Sequence, residues 1–520
     1  MRAISYRNSV MAALFGAGDM ALRLLILTAV LLSCVLSLPA TAGASPAQLA
    51  IFQADGELLY ASEAERERAL DELRDLGADV VKVHAVWRRL APEGAEKPGG
   101  FRGWEPGDYD QARFAALDAV VRGARERGMR VLLSPTGPAP GWATARPHDD
   151  SGAWRPDARE FGRFVRALAR RYDGTHLDAD GRLLPRVRFW SIWNEPNHPL
   201  FLRPLGSRSR RYHIAPHLYR ELLRWALDGL RREGHRRDSV LFGELLPIGH
   251  SRYGPRNTIK PIAFLREFFC LDRDWRPYRG RAARVRGCHR YRPPTGVTGF
   301  AIHPYSRPVG PRTIEPSEDD ATIRSLDRVA RALDRAAALG RVRRGLGIYN
   351  TEYGFQSDPP DRRLGAPLSR IPAFLNEAEW MTYRDRRVKS WSQYALRDDT
   401  DLDGFQSGLY FASGERKDRV YAAYRMPLFV RLLGEREVEV WGGVRLPEAR
   451  GREVRVQVRV GNRWRNLHPA LRIESYRGYV RRTFRVSDAR KRLFRLRYVR
   501  ADGTELTSRS ARPARREDAE

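Results

Sequence analysis

The chain has 520 residues, of which 42% are hydrophobic and 10% aromatic, and 93 Lys and Arg stand against 63 Asp and Glu. That composition excludes a broadly disordered chain and leaves room for a barrel of roughly 250 to 400 residues plus a smaller module. The formal net charge of +30 is carried almost wholly by arginines scattered through every segment. It reads either as compositional bias or as attraction to an anionic polymer, and with no nucleic-acid motif present it does not point to nucleic acid.

Residues 1–42 read as a signal peptide or an N-terminal anchor. Arg23 precedes an apolar run that reaches Leu38, and the small residues Ala40-Thr41-Ala42 follow. That order is a leader with a cleavage site, and its apolar core of about 15 residues is short for a membrane span. Met11 or Met20 are alternative starts. Cys34, in Leu32-Ser33-Cys34, leaves lipidation as an alternative, so membrane association is expected only through an uncleaved or lipidated N-terminus. The expected location is extracellular, secreted or at the cell surface, and the expected state a monomer. With Cys34 removed, Cys270 and Cys288 remain as one pair and are predicted to form a disulfide. No Cys or His cluster at ligand spacing lies near them, so neither a metal nor another cofactor is expected.

Residues 43–435 alternate strand-like and helix-like segments. Residues 49–54 are short and apolar, and residues 62–76 are predicted helical, with Ser62 as N-cap and Glu65 three positions on. Residues 80–86 are β-rich, 109–127 helical, 130–133 apolar and 157–172 amphipathic. The fourth strand is predicted over 187–193. A helix over 216–232, an apolar run over 240–245 and a helix over 262–269 come next. Residues 297–302 are apolar, and 319–339 predict one long helix. An apolar run over 346–350, a helix over 372–386, a strand over 388–394 and a helix over 419–433 close the series.

Eight strands each followed by a helix imply parallel strands with crossovers and match a (β/α)8 TIM barrel with enlarged loops. A doubly wound sheet is the alternative; for nucleotide binding it would need a Gly-rich first turn, which Ala54-Asp55-Gly56-Glu57 does not supply. Over residues 436–507 the pattern switches to strict alternation, with turns at Gly461-Asn462 and Asp502-Gly503, predicting a small antiparallel β-sandwich. Residues 508–520 read as a charged flexible tail.

In such a barrel the chemistry lies at the carboxyl ends of the strands. Those ends carry Asp55; His84 and Trp87; Ser134-Pro135-Thr136, with Trp142 close behind; Asn194 and Glu195; Glu244; His303 and Tyr305; Glu352; and Trp391 with Tyr394. Two carboxylates on strands four and seven face one another across such a mouth. Acetal cleavage needs that pair: an acid for the leaving oxygen, and a second group for the cation-like carbon.

Trp193-Asn194-Glu195-Pro196-Asn197 together with Thr351-Glu352-Tyr353-Gly354 resembles the clan A retaining glycoside hydrolases, and within them family 39 and its bacterial cellulase-like relatives. The resemblance covers about residues 47–435. It implies Glu195 as acid/base and Glu352 as nucleophile, with Asn194 on the sugar 2-hydroxyl, Tyr305 holding the nucleophile and Trp391 as an aromatic platform. His84, His303, Glu244, Asp55 and Trp142 are further substrate-contact candidates. Each has a structural alternative: helix-cap acid or ion-pair partner for the carboxylates, oriented histidine for His303, core packing for Trp142 and Trp87. The expected activity is hydrolysis of O-glycosyl bonds in an extracellular, possibly anionic, carbohydrate. A catalytically silent carbohydrate-binding protein and a transglycosylase are the alternatives. The arginines of the loops 197–214 and 306–317 (Arg203, Arg208, Arg210, Arg211, Arg307, Arg312) could read an anionic glycan or be compositional noise.

Overall fold

The computed structural model describes residues 45–149, 151–475 and 477–515. The leader expected over residues 1–42, Cys34 included, lies outside the described residues. Among those described, no helix is long and apolar enough to cross a membrane.

Eight parallel strands close into a barrel: β1 (Leu49–Gln53), β2 (Val80–Val86), β3 (Arg130–Thr136), β4 (Phe189–Ile192), β5 (Ser239–Leu245), β6 (Gly299–Ile302), β7 (Gly347–Asn350) and β8 (Val388–Tyr394). Each pairs with its chain neighbours, and β8 closes on β1 through Leu49 opposite Ser390 and Gln53 opposite Tyr394. The main crossover helices are α1 (Glu63–Asp75), α2 (Gln111–Glu126), α3 (Ala158–Arg171), α4 (Ala215–Arg232), α5 (Pro261–Phe268), α6 (Leu326–Ala338), α7 (Ile371–Tyr383) and α8 (Asp418–Arg425).

Local sequence explains several boundaries. Ser62 caps α1 with a complete capping box to Glu65, which satisfies two otherwise free backbone donors. Asp157 caps α3 by accepting from the amides of Arg159 and Glu160. α3 and α4 cross in near contact because Gly162 and Gly229 carry no side chain. A Cβ at Gly162 would stand 2.7 Å from the Trp225 Cβ, and one at Gly229 2.6 Å from the Gly162 carbonyl oxygen.

Two expected helices are shorter. Residues 319–325 precede α6 instead of joining it. Asp319 is drawn to Arg266 at 2.6 Å, Asp320 accepts from the Gly249 amide, and Thr322 and Ser325 form a capping box of their own. The helix expected over 419–433 stops at Arg425, and residues 428–434 form a strand.

That strand, β9 (Leu428–Gly434), pairs antiparallel with β10 (Glu437–Gly443), which pairs antiparallel with the strand over Tyr479–Arg485. In chain order β11 is Glu453–Val460, β12 Arg463–Asn466, β13 Tyr479–Arg485, β14 Phe494–Val499 and β15 Glu505–Thr507. The sheets β9-β10-β13 and β12-β11-β14-β15 enclose a second core that includes Val438, Val440, Val456, Phe494 and Leu496. This is the small antiparallel sandwich. Residues 508–514, expected to be flexible, are instead hydrogen-bonded: Ala511 exchanges backbone bonds with Phe494, and Ala514 with Val430 and Leu432. The predicted disulfide Cys270–Cys288 is present.

Candidate active site at the carboxyl ends of the strands

Strand parity builds the site. Successive side chains of a strand alternate between the barrel interior and the helix layer. Ile51, Val80, Leu132, Phe189, Leu241 and Ala301 form one apolar layer inside the barrel. Two residues further along their strands, the same face carries Gln53, Lys82, Ser134, Ser191 and His303. A polar layer therefore lies directly above the apolar one.

Glu244 enters that layer by a different route. The register between β5 and β6 shifts between Gly243 and Leu245, with φ of +116° at Gly243 and +48° at Glu244. A bulge of this kind re-aims a side chain. Glu244 is fully buried and takes up the hydroxyls of Ser191 and Thr351, the latter at 3.0 Å. Lys82 Nζ donates to its Oε2 at 2.8 Å, and His303 Nε2 lies 2.6 Å from the same oxygen.

Glu195 ends the β4 segment on a strained turn. Trp193 and Glu195 have φ of +68° and +40°, costly for residues with side chains. Neighbouring strands hold the turn: Trp193 N donates to Pro135 O, Asn194 N to Thr136 Oγ1, and Glu195 N to Glu244 O. The result aims Glu195 Oε1 at His303 Nδ1, 2.8 Å away. Glu352, just beyond β7, accepts from Tyr305 Oη at 2.8 Å and lies 3.6 Å from Lys82 Nζ and 3.7 Å from His303 Nδ1. Ligand oxygens of Glu195 and Glu352 fall within 4.8 Å of one another. Both side chains keep slight exposure, 11% and 7%.

The charges are coupled. Burial works against the imidazolium of His303, but Glu352 and the hydrogen bonds to Glu195 and Glu244 push its pKa up to about 9, against the opposing charge of Lys82. Burial also works against the Lys82 ammonium, yet Glu244 and then Glu352 hold its pKa above the ordinary lysine value. Glu244 is opposed by burial and held below the usual carboxylate range by Lys82 and His303. Near neutral pH the cations of Lys82 and His303 therefore lie against the Glu244 carboxylate and beside the carboxyl groups of Glu195 and Glu352. Burial, reinforced by the charge of Glu352, raises the Tyr305 phenol and keeps it a hydrogen-bond donor.

Glu195, His303 and Glu352 could each offer one atom to a metal. Both His303 nitrogens are already engaged by carboxylates and Lys82 sits beside Glu352, so the group is furnished for holding a proton rather than a cation. The other possible group, His217 with Cys270 and Cys288, has its two sulfurs joined to each other.

The remaining expected residues divide. Asp55 holds His84 Nδ1 at 2.9 Å, and burial of the Asp55 carboxyl is outweighed by His84, which lowers its pKa. His84 Nε2 and Asn194 Oδ1 are buried without a hydrogen-bond partner among the described residues, as are Ser134 Oγ and Gln53 Oε1. Buried polar atoms are normally paired, so these form a set that a hydroxylated ligand would satisfy. Trp391 does not reach the mouth. Its neighbour Ser390 pairs with Leu49 and Tyr349 on the interior face, so Trp391 points to the helix layer, where it packs on Tyr353 at 5.1 Å with 1% exposure. Aromatic surface beside Glu352 comes instead from Tyr305, Tyr394 and Phe405, Phe405 lying 6.2 Å from Tyr305 and 5.0 Å from Tyr394. Trp142 joins Trp87 and Phe101 in an aromatic cluster and donates to Pro92 O. Of the loop arginines, Arg307 pairs with Glu315 and Arg312 with Glu377, and Arg203 donates to Pro199 O. Arg208, Arg210 and Arg211 are exposed.

No role was expected of Lys82 or Ser191, and Thr351 was expected only as part of the motif around Glu352. Lys82 could have been found: it stands two residues before His84 in an otherwise apolar strand, in a chain where lysine is scarce.

No family model matches the chain, and no curated protein does. Among solved structures it is similar to a calcium-binding mutant of Bacteroides uniformis β-glucuronidase 2, with 12% identity over 91% of this chain and 46% of that one, TM-score 0.41. It is similar to an exo-β-1,4-mannosidase from Opitutaceae bacterium strain TAV5, with 15% identity over 75% of this chain and 62% of that one, TM-score 0.41. A family 1 β-glucosidase from Thermotoga maritima gives 13% identity over 74% of this chain and 98% of that one, TM-score 0.45. The chain thus spans less than two thirds of the length of the first two.

Proposed function

We propose that the protein is a retaining glycoside hydrolase of the clan A kind, nearest to family 39 and its bacterial cellulase-like relatives, acting on a carbohydrate outside the cell. The observation that carries this is the pair of carboxylates on strands four and seven, with oxygens within 4.8 Å. Retaining enzymes hold their carboxyls about 5 Å apart so that one can attack directly, whereas inverting enzymes leave roughly 6.5 to 9.5 Å for a water.

Glu352 is the nucleophile. Tyr305 and Lys82 orient it and offset its charge, so one oxygen can approach an anomeric carbon. Glu195 passes the proton it shares with His303 to the leaving oxygen, which departs with the electrons of the broken C–O bond. A glycosyl ester forms on Glu352. Glu195, now ionised, takes a proton from water, and the hydroxyl oxygen displaces Glu352 from the sugar. Asn194 Oδ1, without a hydrogen-bond partner among the described residues, is suited to accept from a sugar hydroxyl. The leader-like residues 1–42 and the disulfide support action in an oxidising, extracellular setting.

The test is to screen aryl glycosides and neutral and acidic glycans, and to follow the first-formed product by NMR. Retention of anomeric configuration is expected, and Glu352→Gln should abolish turnover while preserving binding. Inversion, or turnover that survives Glu352→Gln, sinks the assignment.

A further inference from the structure

Outside the barrel, the outer face of α4 lies opposite residues 285–296, and together with Arg155, Arg210 and Tyr212 from the loops after β3 and β4 they line a groove of about 1310 Å3. Neither Glu195 nor Glu352 lines it. Its lining is cationic: Arg220 and Arg224 come from α4, Arg236 from just beyond it, and Arg286, Arg290 and Arg292 from the facing segment. The acids that line it, Glu221 and Asp228, are already engaged by arginines of their own helix. Glu221 pairs with Arg224 at 2.8 Å, and Asp228 with Arg232 at 2.7 Å and with Arg231.

Arg220 shows the imbalance best. Its Nη1 donates to Phe268 O, His217 Nδ1 and Cys270 Sγ, and its Nη2 to Arg286 O at 2.9 Å. None of these is a carboxylate. The nearby Glu267 is already shared by His217 Nε2 and Arg286 Nε, at 3.1 and 3.0 Å. Burial lowers the Arg220 pKa despite the attraction of Glu221 and Glu267. A half-buried guanidinium that makes no ion pair among the described residues is costly, and a ligand anion would supply one. Arg236, Arg290 and Arg292 are exposed and form no ion pair among the described residues. The Cys270–Cys288 disulfide ties the backbone of the facing segment to the end of α5. Guanidinium forks match carboxylates bidentately.

We propose that this groove is a secondary binding site for a carboxylated polysaccharide, holding the polymer at a distance from the catalytic carboxylates. The choice of polysaccharide among polyanions rests on the glycosidase reading. The groove itself does not.

The full chain carrying Glu352→Gln is titrated calorimetrically with polygalacturonate, and in parallel with neutral pullulan, polyphosphate and duplex DNA at equal ionic strength. Polygalacturonate is expected to bind and pullulan not. Arg236→Glu/Arg290→Glu/Arg292→Glu should weaken binding by at least about tenfold. The control Arg455→Glu/Arg482→Glu/Arg485→Glu, of equal charge change on the sandwich, should weaken it by less than about twofold. Equal losses in the two triples, no binding of polygalacturonate, or tighter groove-dependent binding of polyphosphate or DNA overturns the proposal. With Glu352 intact, both triples should hydrolyse a small aryl glycoside as fast as the parent. A parent that hydrolyses none removes the glycosidase reading and leaves the binding result to decide the groove by itself.

Discussion

Lys82 and Glu244 meet inside the barrel at 2.8 Å, with no exposure on either side chain. Neither can reach water, so each depends on its partners for its charge, first of all on the other. Removing one partner of a buried pair costs about 3 to 5 kcal/mol because the survivor is stranded. Lys82→Met is therefore expected to lower the unfolding free energy in urea by about that much. Lys82→Met/Glu244→Gln should recover a large part of it. A double variant no more stable than the single one would show that the two residues are not coupled.

His303 sets a pH limit. Its folded pKa of about 9 lies above the unfolded value near 6.5, so its stabilisation is whole below about pH 6.5 and disappears as pH rises through about 9. Glu244 has the opposite sign. Its carboxyl is lowered, so its contribution is present above the ordinary carboxylate pKa and fades as pH falls through the folded value. Urea midpoints measured across the alkaline range should decline toward pH 9, and His303→Gln should flatten that decline. An unchanged alkaline slope in the variant would remove His303 as its source.

If Glu195 is the acid, its loss should depend on the leaving group. A nitrophenolate departs without a proton and an alkoxide does not, and general acid catalysis supplies about 100- to 10,000-fold. Glu195→Ala should cost that much in kcat/KM on an alkyl or sugar leaving group and far less on a nitrophenyl glycoside. Equal losses on both would mean that Glu195 positions rather than protonates.

Much of this was legible in the sequence because it is local. β2 and β8 fall on the residues that β-branched and aromatic patterning marks, and the box at Ser62 and Glu65 needs only its own four residues. Glu195 and Glu352 were legible as a facing pair because strand order in a barrel brings strand ends together whatever the loops do. What was missed depends on parity and register. Trp391 was assigned to the mouth without knowing which face of β8 looks inward, and Ser390 opposite Leu49 settles that only once pairing is known. Glu244 was placed at its strand end, but its turn into the barrel interior depends on a bulge that hydrophobic periodicity does not record. The helix expected over 319–339 was shortened by partners distant in sequence: Arg266 for Asp319, and the Gly249 amide for Asp320.

Barrel and sandwich, separable by pattern, are joined by a buried polar knot. Glu379 on α7 pairs with Arg445 beyond β10 and accepts from Tyr479 Oη of β13 at 2.7 Å. Arg445 Nη1 also donates to Tyr424 O of α8 at 2.7 Å. Arg445 and Glu379 are almost wholly buried, and aromatic packing surrounds them, with Trp380 stacked on Phe429 at 4.3 Å and Tyr479 against both Tyr383 and Trp441. Arg445→Met strands the Glu379 carboxylate and is expected to cost about 3 to 5 kcal/mol. Because the knot spans both cores, the parent should melt in one calorimetric transition, and Arg445→Met should split it or lower it as a whole. Two separated transitions in the parent would show that the knot does not couple the cores.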